Sequence, residues 1–135
     1  MKTKKIAVLF SSNGSNLEAI IKKLHNKRFN GTKIKISLLI CNNKNAFGIV
    51  RARKYGLETT IISHENFTCR QEFDKVLVEK IKSANVDLVV LAGFMRILTP
   101  VFCDNVRAIN LHPSILPLFK GANAIKESFQ SDMQI

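Results

Sequence analysis

Short apolar runs closed by turn residues alternate along this chain with apolar stripes at helical spacing, and few folds accept that alternation. Residues 6–10 (IAVLF) form the first run, which Ser11-Ser12-Asn13-Gly14 ends. Leu17, Ile20, Ile21 and Leu24 follow at i, i+3, i+4, i+7, one face of a helix. Ser15 and Glu18 stand at capping-box spacing and predict that this helix starts at Ser15. Residues 34–41 predict a second strand and 42–45 a turn. Asn45 would cap a second helix running to about Tyr55, with Gly56 as its terminator. Residues 58–62 predict a third strand. Thr68 and Gln71 form another capping-box pair, ahead of a helical stripe of Phe73, Val76, Leu77, Ile81 and Ala84. Residues 88–92 and 108–111 predict two further strands, and Ala122, Ile125 and Phe129 a last helix. The expected class is α/β: a doubly wound, mostly parallel sheet covered on both faces. No repeat, linker or low-complexity tract interrupts the pattern, so residues 1–135 read as one domain.

With 46% hydrophobic and 23% charged residues, disordered and fibrous classes drop out. Residues 6–10 are too short for a signal-peptide core, which needs roughly 7–15 apolar residues. No run approaches the ~20 residues of a membrane span. Three widely spaced cysteines (Cys41, Cys69, Cys103) without a C-x-x-C pair argue against zinc and disulfide frameworks; reduced thiols in the cytoplasm are expected, with no metal. The net charge is +11, and residues 1–60 hold 13 basic against 2 acidic residues while 61–135 hold 8 of each. An anionic partner is one reading of that excess; a solvated basic face is the other, and the basic residues lack the aromatic interleaving of nucleic-acid readers.

In open α/β sheets ligands bind outside the carboxyl ends of the strands, and the unusual residues fall there. After the first strand, Gly14 and Ser15 open a helix whose free amides suit an anion, although a plain turn with a helix cap gives the same pattern. Neither G-x-G-x-x-G nor G-K-[ST] is present. After the fourth strand, Arg96 stands among Phe94, Met95, Ile97 and Leu98, either as a cation rimmed by apolar ligand contacts or as a snorkelling arginine. After the fifth, Asn110 and His112 alternate and so share a face. An amide beside an imidazole suits acyl transfer, though a lone histidine is more often structural. His25 and His64 read as surface residues.

With these three loops in view, the chain resembles the phosphoribosylglycinamide formyltransferases, folate-dependent enzymes of purine synthesis with a Rossmann-like fold. The matching stretches are 6–17 (IAVLFSSNGSNL), 87–100 (DLVVLAGFMRILTP) and 109–117 (INLHPSILP), with shorter ones at Ala46-Phe47-Gly48 and Arg51-Ala52-Arg53. The resemblance implies that Gly14, Ser15 and Asn16 hold the phosphate of phosphoribosylglycinamide. It implies that Arg70, Met95, Arg96, Ile97, Leu98 and Asn110 line the site of the cosubstrate 10-formyltetrahydrofolate. Asn110 and His112 would be the catalytic pair, and the Leu116–Pro117 bond is expected to be cis. No nucleic-acid or membrane partner is expected, and a homodimer is allowed.

The family also uses an aspartate in a loop beyond the last helix expected here, and Asp132 and Glu127 do not lie in that context. The chain therefore reads as the amino-terminal part of such an enzyme, lacking the carboxy-terminal strands and expected to have little activity by itself. Two relatives share the Asn110–His112 loop. Formyltetrahydrofolate hydrolase carries a regulatory domain ahead of the first strand, and methionyl-tRNA formyltransferase has a different first loop and an added tRNA-binding domain. A basic nucleic-acid-binding module and a folate-holding protein without chemistry are the alternatives from other classes.

Overall fold

Strand β1 (Lys2–Phe10) organises the sheet. Its last five residues, from Ile6 to Phe10, are wholly buried. The computed structural model describes residues 2–111. Within them α1 (Ser15–Leu24), β2 (Lys27–Phe29), β3 (Thr32–Cys41), α2 (Phe47–Lys54), β4 (Thr60–Ile61), a 3-10 turn (His64–Asn66), α3 (Arg70–Ser83), β5 (Leu88–Ala92), α4 (Pro100–Cys103) and β6 (Ala108–Leu111) follow in order. The strand order is β2-β3-β1-β5-β6, with β4 paired to β3. All pairings are parallel except β2 with β3. The chain winds outward from β1 to β3 and β4, then returns to the other edge of β1 as β5. The switch point of this doubly wound, mostly parallel sheet thus lies between β1 and β5.

Alternation along β1 divides the core. Ile6, Val8 and Phe10 pack with Leu17, Ile20, Ile21 and Leu24 of α1 and Ala52 of α2. Ala7 and Leu9 pack with Phe73, Leu77 and Ile81 of α3 and Phe102 of α4. Each large side chain buried this way contributes roughly 1.5–3 kcal/mol of transfer free energy. A shift in the β1–β3 register between Ile6 and Ala7 leaves Ser37 as the extra residue of a bulge.

Several local expectations are corrected. β1 starts at Lys2 because Lys2 to Lys5 pair with the residues from Thr32 to Lys35. Lys27, Arg28 and Phe29 form β2, an antiparallel strand that is not among those expected. Asn30 (φ 51°) and Gly31 (φ 80°) turn the chain between β2 and β3 in the left-handed conformations that a two-residue hairpin requires. β4 has two residues rather than five, since it pairs only with Ile40 and Cys41 of β3. Neither capping box forms: the cap of α1 is Gly14 and that of α3 is Cys69, and neither makes a side-chain cap bond. Asn45 does not cap α2 either, because Ala46 occupies that position, and the Asn45 amide instead donates to Asn43 Oδ1 at 3.0 Å. The expected last helix lies outside the described residues.

His25 is not a free surface residue. Its Nδ1 accepts a 3.1 Å bond from the Ile36 amide, tying the end of α1 to β3. Burial, aided by Lys35 and Lys33, pushes its imidazole below the ordinary value.

Two predictions follow from this packing. A protonated His25 cannot accept from Ile36. Because its folded value is depressed, the unfolded chain takes up the proton first as pH falls below about 6.5. Urea-unfolding stability should therefore fall from pH 7 toward pH 5, and His25→Asn should remove part of that fall; identical pH profiles would refute the role. Gly14→Ala and Gly31→Ala both place alanine at positive φ, a strain of roughly 1–2 kcal/mol. A Cβ at Gly14 would also lie 2.5 Å from Gly48 Cα, whereas at Gly31 it would meet nothing within 4 Å. Gly14→Ala should be the more destabilising by at least about 1 kcal/mol, and equal urea midpoints would show slack between α1 and α2.

Candidate functional site

Two described loops leave the carboxyl ends of β1 and β5, and β6 ends beside them as the next strand of the sheet. The first is held open by two glycines. Gly14 (φ 78°) caps α1, and its carbonyl accepts the first helical bond, from the Glu18 amide at 2.8 Å. The amides of Ser15, Asn16 and Leu17 precede that ladder, so they and the helix dipole form an anion-attracting terminus. Ser15 is exposed and Asn16 half-buried. A Cβ at Gly48 would lie 2.5 Å from Phe10 Cε2, so the close approach of α2 to this loop needs glycine on both sides.

Helix α2 clamps the loop from outside. The Gly48 amide donates to the Ser12 carbonyl at 3.0 Å. Arg51 donates from Nε to the Asn13 carbonyl at 2.9 Å, from Nη2 to Asn13 Oδ1 at 2.9 Å and from Nη1 to Glu18 Oε1 at 2.8 Å. Lys54 Nζ stands 2.7 Å from the other Glu18 oxygen, and its hydrogen bond holds that carboxyl below the usual range. Glu18 thus serves Arg51 and Lys54 rather than a capping box. Sequence reasoning gave Gly48 and Arg51 no role, although both stand in the short matched stretches.

The second loop, between β5 and α4, is joined to the first. The Met95 amide donates to Ser11 Oγ at 2.6 Å, and Ser11 is 6% exposed. Met95 and Ile97 stand 76% and 66% exposed, while Phe94 and Leu98 pack on the α3 side of the core. Arg96 turns inward: its guanidinium lies 3.8 Å from the Phe73 ring centroid and its Nε 3.9 Å from Asp74 Oδ1. Asp74 is wholly buried, and its Oδ2 accepts from the Thr99 amide at 2.7 Å and the Thr99 hydroxyl at 2.6 Å. Arg70, exposed, begins α3 one turn before Phe73 and Asp74. Exposed Met95 and Ile97 with the Arg70 cation make a fitting surface for an aromatic, partly anionic ligand.

On β6, Asn110 pairs in register with Leu91 and is exposed. The carboxamide therefore emerges beside the start of the Met95 loop. His112 and the Leu116–Pro117 bond lie outside the described residues. A polar cleft of about 320 Å³ lies between Ser12, Asn42, Lys44, His64 and Met95. Among the described residues no group of three His, Cys, Asp or Glu could hold a metal, and no helix is long and apolar enough to cross a membrane.

The doubly wound sheet, with the loops after β1 and β5 hydrogen-bonded to each other at the switch point, puts the chain among the α/β proteins whose ligand sites lie at the carboxyl ends of the strands. Residues 4–133 match the formyl transferase family, and the chain belongs to it. It is 38% identical over 128 residues to phosphoribosylglycinamide formyltransferase of Escherichia coli (strain K12), covering 93% of this chain and 59% of that protein. It is 39% identical over 130 residues to the trifunctional purine biosynthetic protein adenosine-3 of Drosophila pseudoobscura pseudoobscura, covering 95% of this chain and 10% of that protein. The crystal structure of phosphoribosylglycinamide formyltransferase from Campylobacter jejuni superimposes with a TM-score of 0.81 at 61% identity, over 96% of this chain and 68% of that one. The chain thus spans 59% and 10% of the lengths of these two curated relatives.

Ser11→Ala leaves the Met95 amide without its partner in a part-buried setting. It should lower stability by about 1–3 kcal/mol and speed hydrogen exchange at Met95. Unchanged exchange there would mean that the two loops are held together by other contacts.

Proposed function

We propose that this chain carries the acceptor-phosphate and formyl-donor loops of a phosphoribosylglycinamide formyltransferase, which moves a formyl group from 10-formyltetrahydrofolate to the amine of phosphoribosylglycinamide. The observation that carries the reading is the Ser11–Met95 bond, because it couples an anion-attracting helix terminus to an exposed apolar loop in one site. Family membership and the matched relatives support it. Residues 1–135 act in this reading as one formyltransferase-like domain, supported by the two cores that share one sheet. A cytoplasmic setting is supported by the three unpaired cysteines.

The amides at Ser15 and Asn16 hold the acceptor phosphate, with Gly14 leaving room for its approach. Met95, Ile97 and Leu98 supply an apolar wall for the donor's ring system, and Arg70 and Arg96 its cations. The donor brings an activated formyl carbon. The Asn110 amide and a protonated His112 stabilise the charge that develops on the formyl oxygen as the acceptor amine attacks; one such donor is worth about 2.7–4 kcal/mol. His112 gives its proton to the departing folate nitrogen and takes up the one that the amine loses.

The test compares formyl transfer to phosphoribosylglycinamide, water and charged tRNA by the full-length protein. Transfer to phosphoribosylglycinamide should dominate, and dominance of water or tRNA would assign a different acceptor. His112→Ala should lower kcat by at least ~100-fold while leaving phosphoribosylglycinamide affinity within about twofold, since the phosphate is held by a separate loop. An unchanged rate would move the chemistry to other residues.

A further inference from the structure

We propose that Asp74 is a positioning residue for the donor loop, setting Met95, Arg96 and Ile97 through Thr99 and the Arg96 guanidinium; the inference rests on the function proposed above. Asp74 lies on α3 and touches no exposed surface. A wholly buried carboxylate inside a helix has no reason to persist for solubility, and its desolvation is tolerated only with close polar partners. Both partners come from one loop, more than 20 positions further along the chain. Thr99 donates twice, from its amide at 2.7 Å and its hydroxyl at 2.6 Å, to Asp74 Oδ2. Arg96 approaches the other oxygen, with Nε 3.9 Å from Oδ1. The carboxylate therefore grips the loop at its last residue and near its middle, and the Ser11 hydroxyl grips it at Met95.

Fixing these points leaves little freedom to the residues between them. Met95 and Ile97, which flank Arg96, are the exposed pair. Arg96 itself is pressed on the Phe73 ring, and its side chain is 12% exposed. Its Nε and Asp74 Oδ1 are both buried without a hydrogen bond among the described residues. Among the described residues Arg96 is thus held at Nε by charge and at its guanidinium plane by stacking on Phe73 rather than by a donated bond from Nε. Asp74 also ties the loop to the helix that begins with Arg70, so the two sets of residues proposed to meet the donor move as one body.

The experiment uses Thr99→Val, Thr99→Ser and Asp74→Asn in the full-length protein. Thr99→Val keeps the shape and removes the hydroxyl bond; it should raise KM for 10-formyltetrahydrofolate about tenfold, in keeping with one buried charged hydrogen bond. KM for phosphoribosylglycinamide should stay within about twofold, because its loop is clamped by α2 instead. Amides 93–98 should exchange faster, and Thr99→Ser should restore both readouts. Asp74→Asn should raise the donor KM as well, because it releases Arg96. Parallel rises in both KM values, or losses that follow only the folded fraction, would reduce Asp74 to a structural residue and overturn the proposal. So would faster exchange with an unchanged donor KM. If the unmodified protein transfers no formyl group to phosphoribosylglycinamide, the proposed function fails separately. Positioning is then judged by exchange of amides 93–98 and by calorimetric binding of 10-formyltetrahydrofolate: weaker binding in Thr99→Val, restored in Thr99→Ser, supports it, and equal binding overturns it.

Discussion

Every feature of this site hangs on the double confinement of β1. The strand is hydrogen-bonded on both edges, to β3 and β5, and covered on both faces, so the residues from Ile6 to Phe10 have no contact with water. Such a strand cannot slip by one residue, since a slip would exchange the side chains that face α1 with those that face α3. Its end is therefore a fixed point in space. Ser11, the next residue, is still buried and must find a partner for its hydroxyl; it finds the Met95 amide beyond the end of β5. The coupling between two binding loops is thus a direct extension of the core register.

From that fixed point the anion-attracting terminus is built by close approach rather than by charge. Gly14 and Gly48 allow the two helix starts to meet, and Arg51 uses its planar fork to hold the Asn13 carbonyl, the Asn13 side chain and Glu18 together. The cation nearest the loop is consequently committed to the scaffold. The amides of Ser15, Asn16 and Leu17 point out of the helix start in a direction set by the helix. Backbone donors of this kind are rigid, because they cannot swing as a long side chain does.

Buried strands were readable where a short apolar run is closed by turn residues, as β5 is between Asp87 and Gly93, and the expected bounds 88–92 and 108–111 agree with the structure. Local polar pairings were poorly readable. Ser15 with Glu18 and Thr68 with Gln71 have capping spacing, yet Glu18 goes to α2 and Thr68 donates to Glu72 at 3.0 Å. In both cases a charged partner displaces the expected capping bond, across the fold for Glu18 and one turn along the helix for Thr68. The β2–β3 hairpin did carry a signal, Asn30-Gly31, but the three residues ahead of it, Lys27-Arg28-Phe29, are too few and too charged to read as a strand. The Asp74 grip carried none, since an aspartate beside an apolar stripe looks like a solvated position until its partners at Arg96 and Thr99 are folded against it.

The net charge takes on a different meaning once the strands are paired. Arg28 faces Lys33 and Lys5 faces Lys35 across neighbouring strands, at the amino ends of β1 and β3. The anion-attracting loops are at the carboxyl ends, several residues of strand away. Each residue of strand adds about 3.3 Å, and charges beyond about 8–10 Å are largely screened at physiological salt. Those lysines can raise the encounter rate of an anionic ligand at low salt, but they cannot hold it in the site. Like charges opposite one another also destabilise the sheet by a few tenths of a kcal/mol each, to order of magnitude. The basic excess is therefore divided: the strand lysines lie at the amino ends of the sheet, while Arg51 and Lys54 at the other end are paired with Asn13 and Glu18.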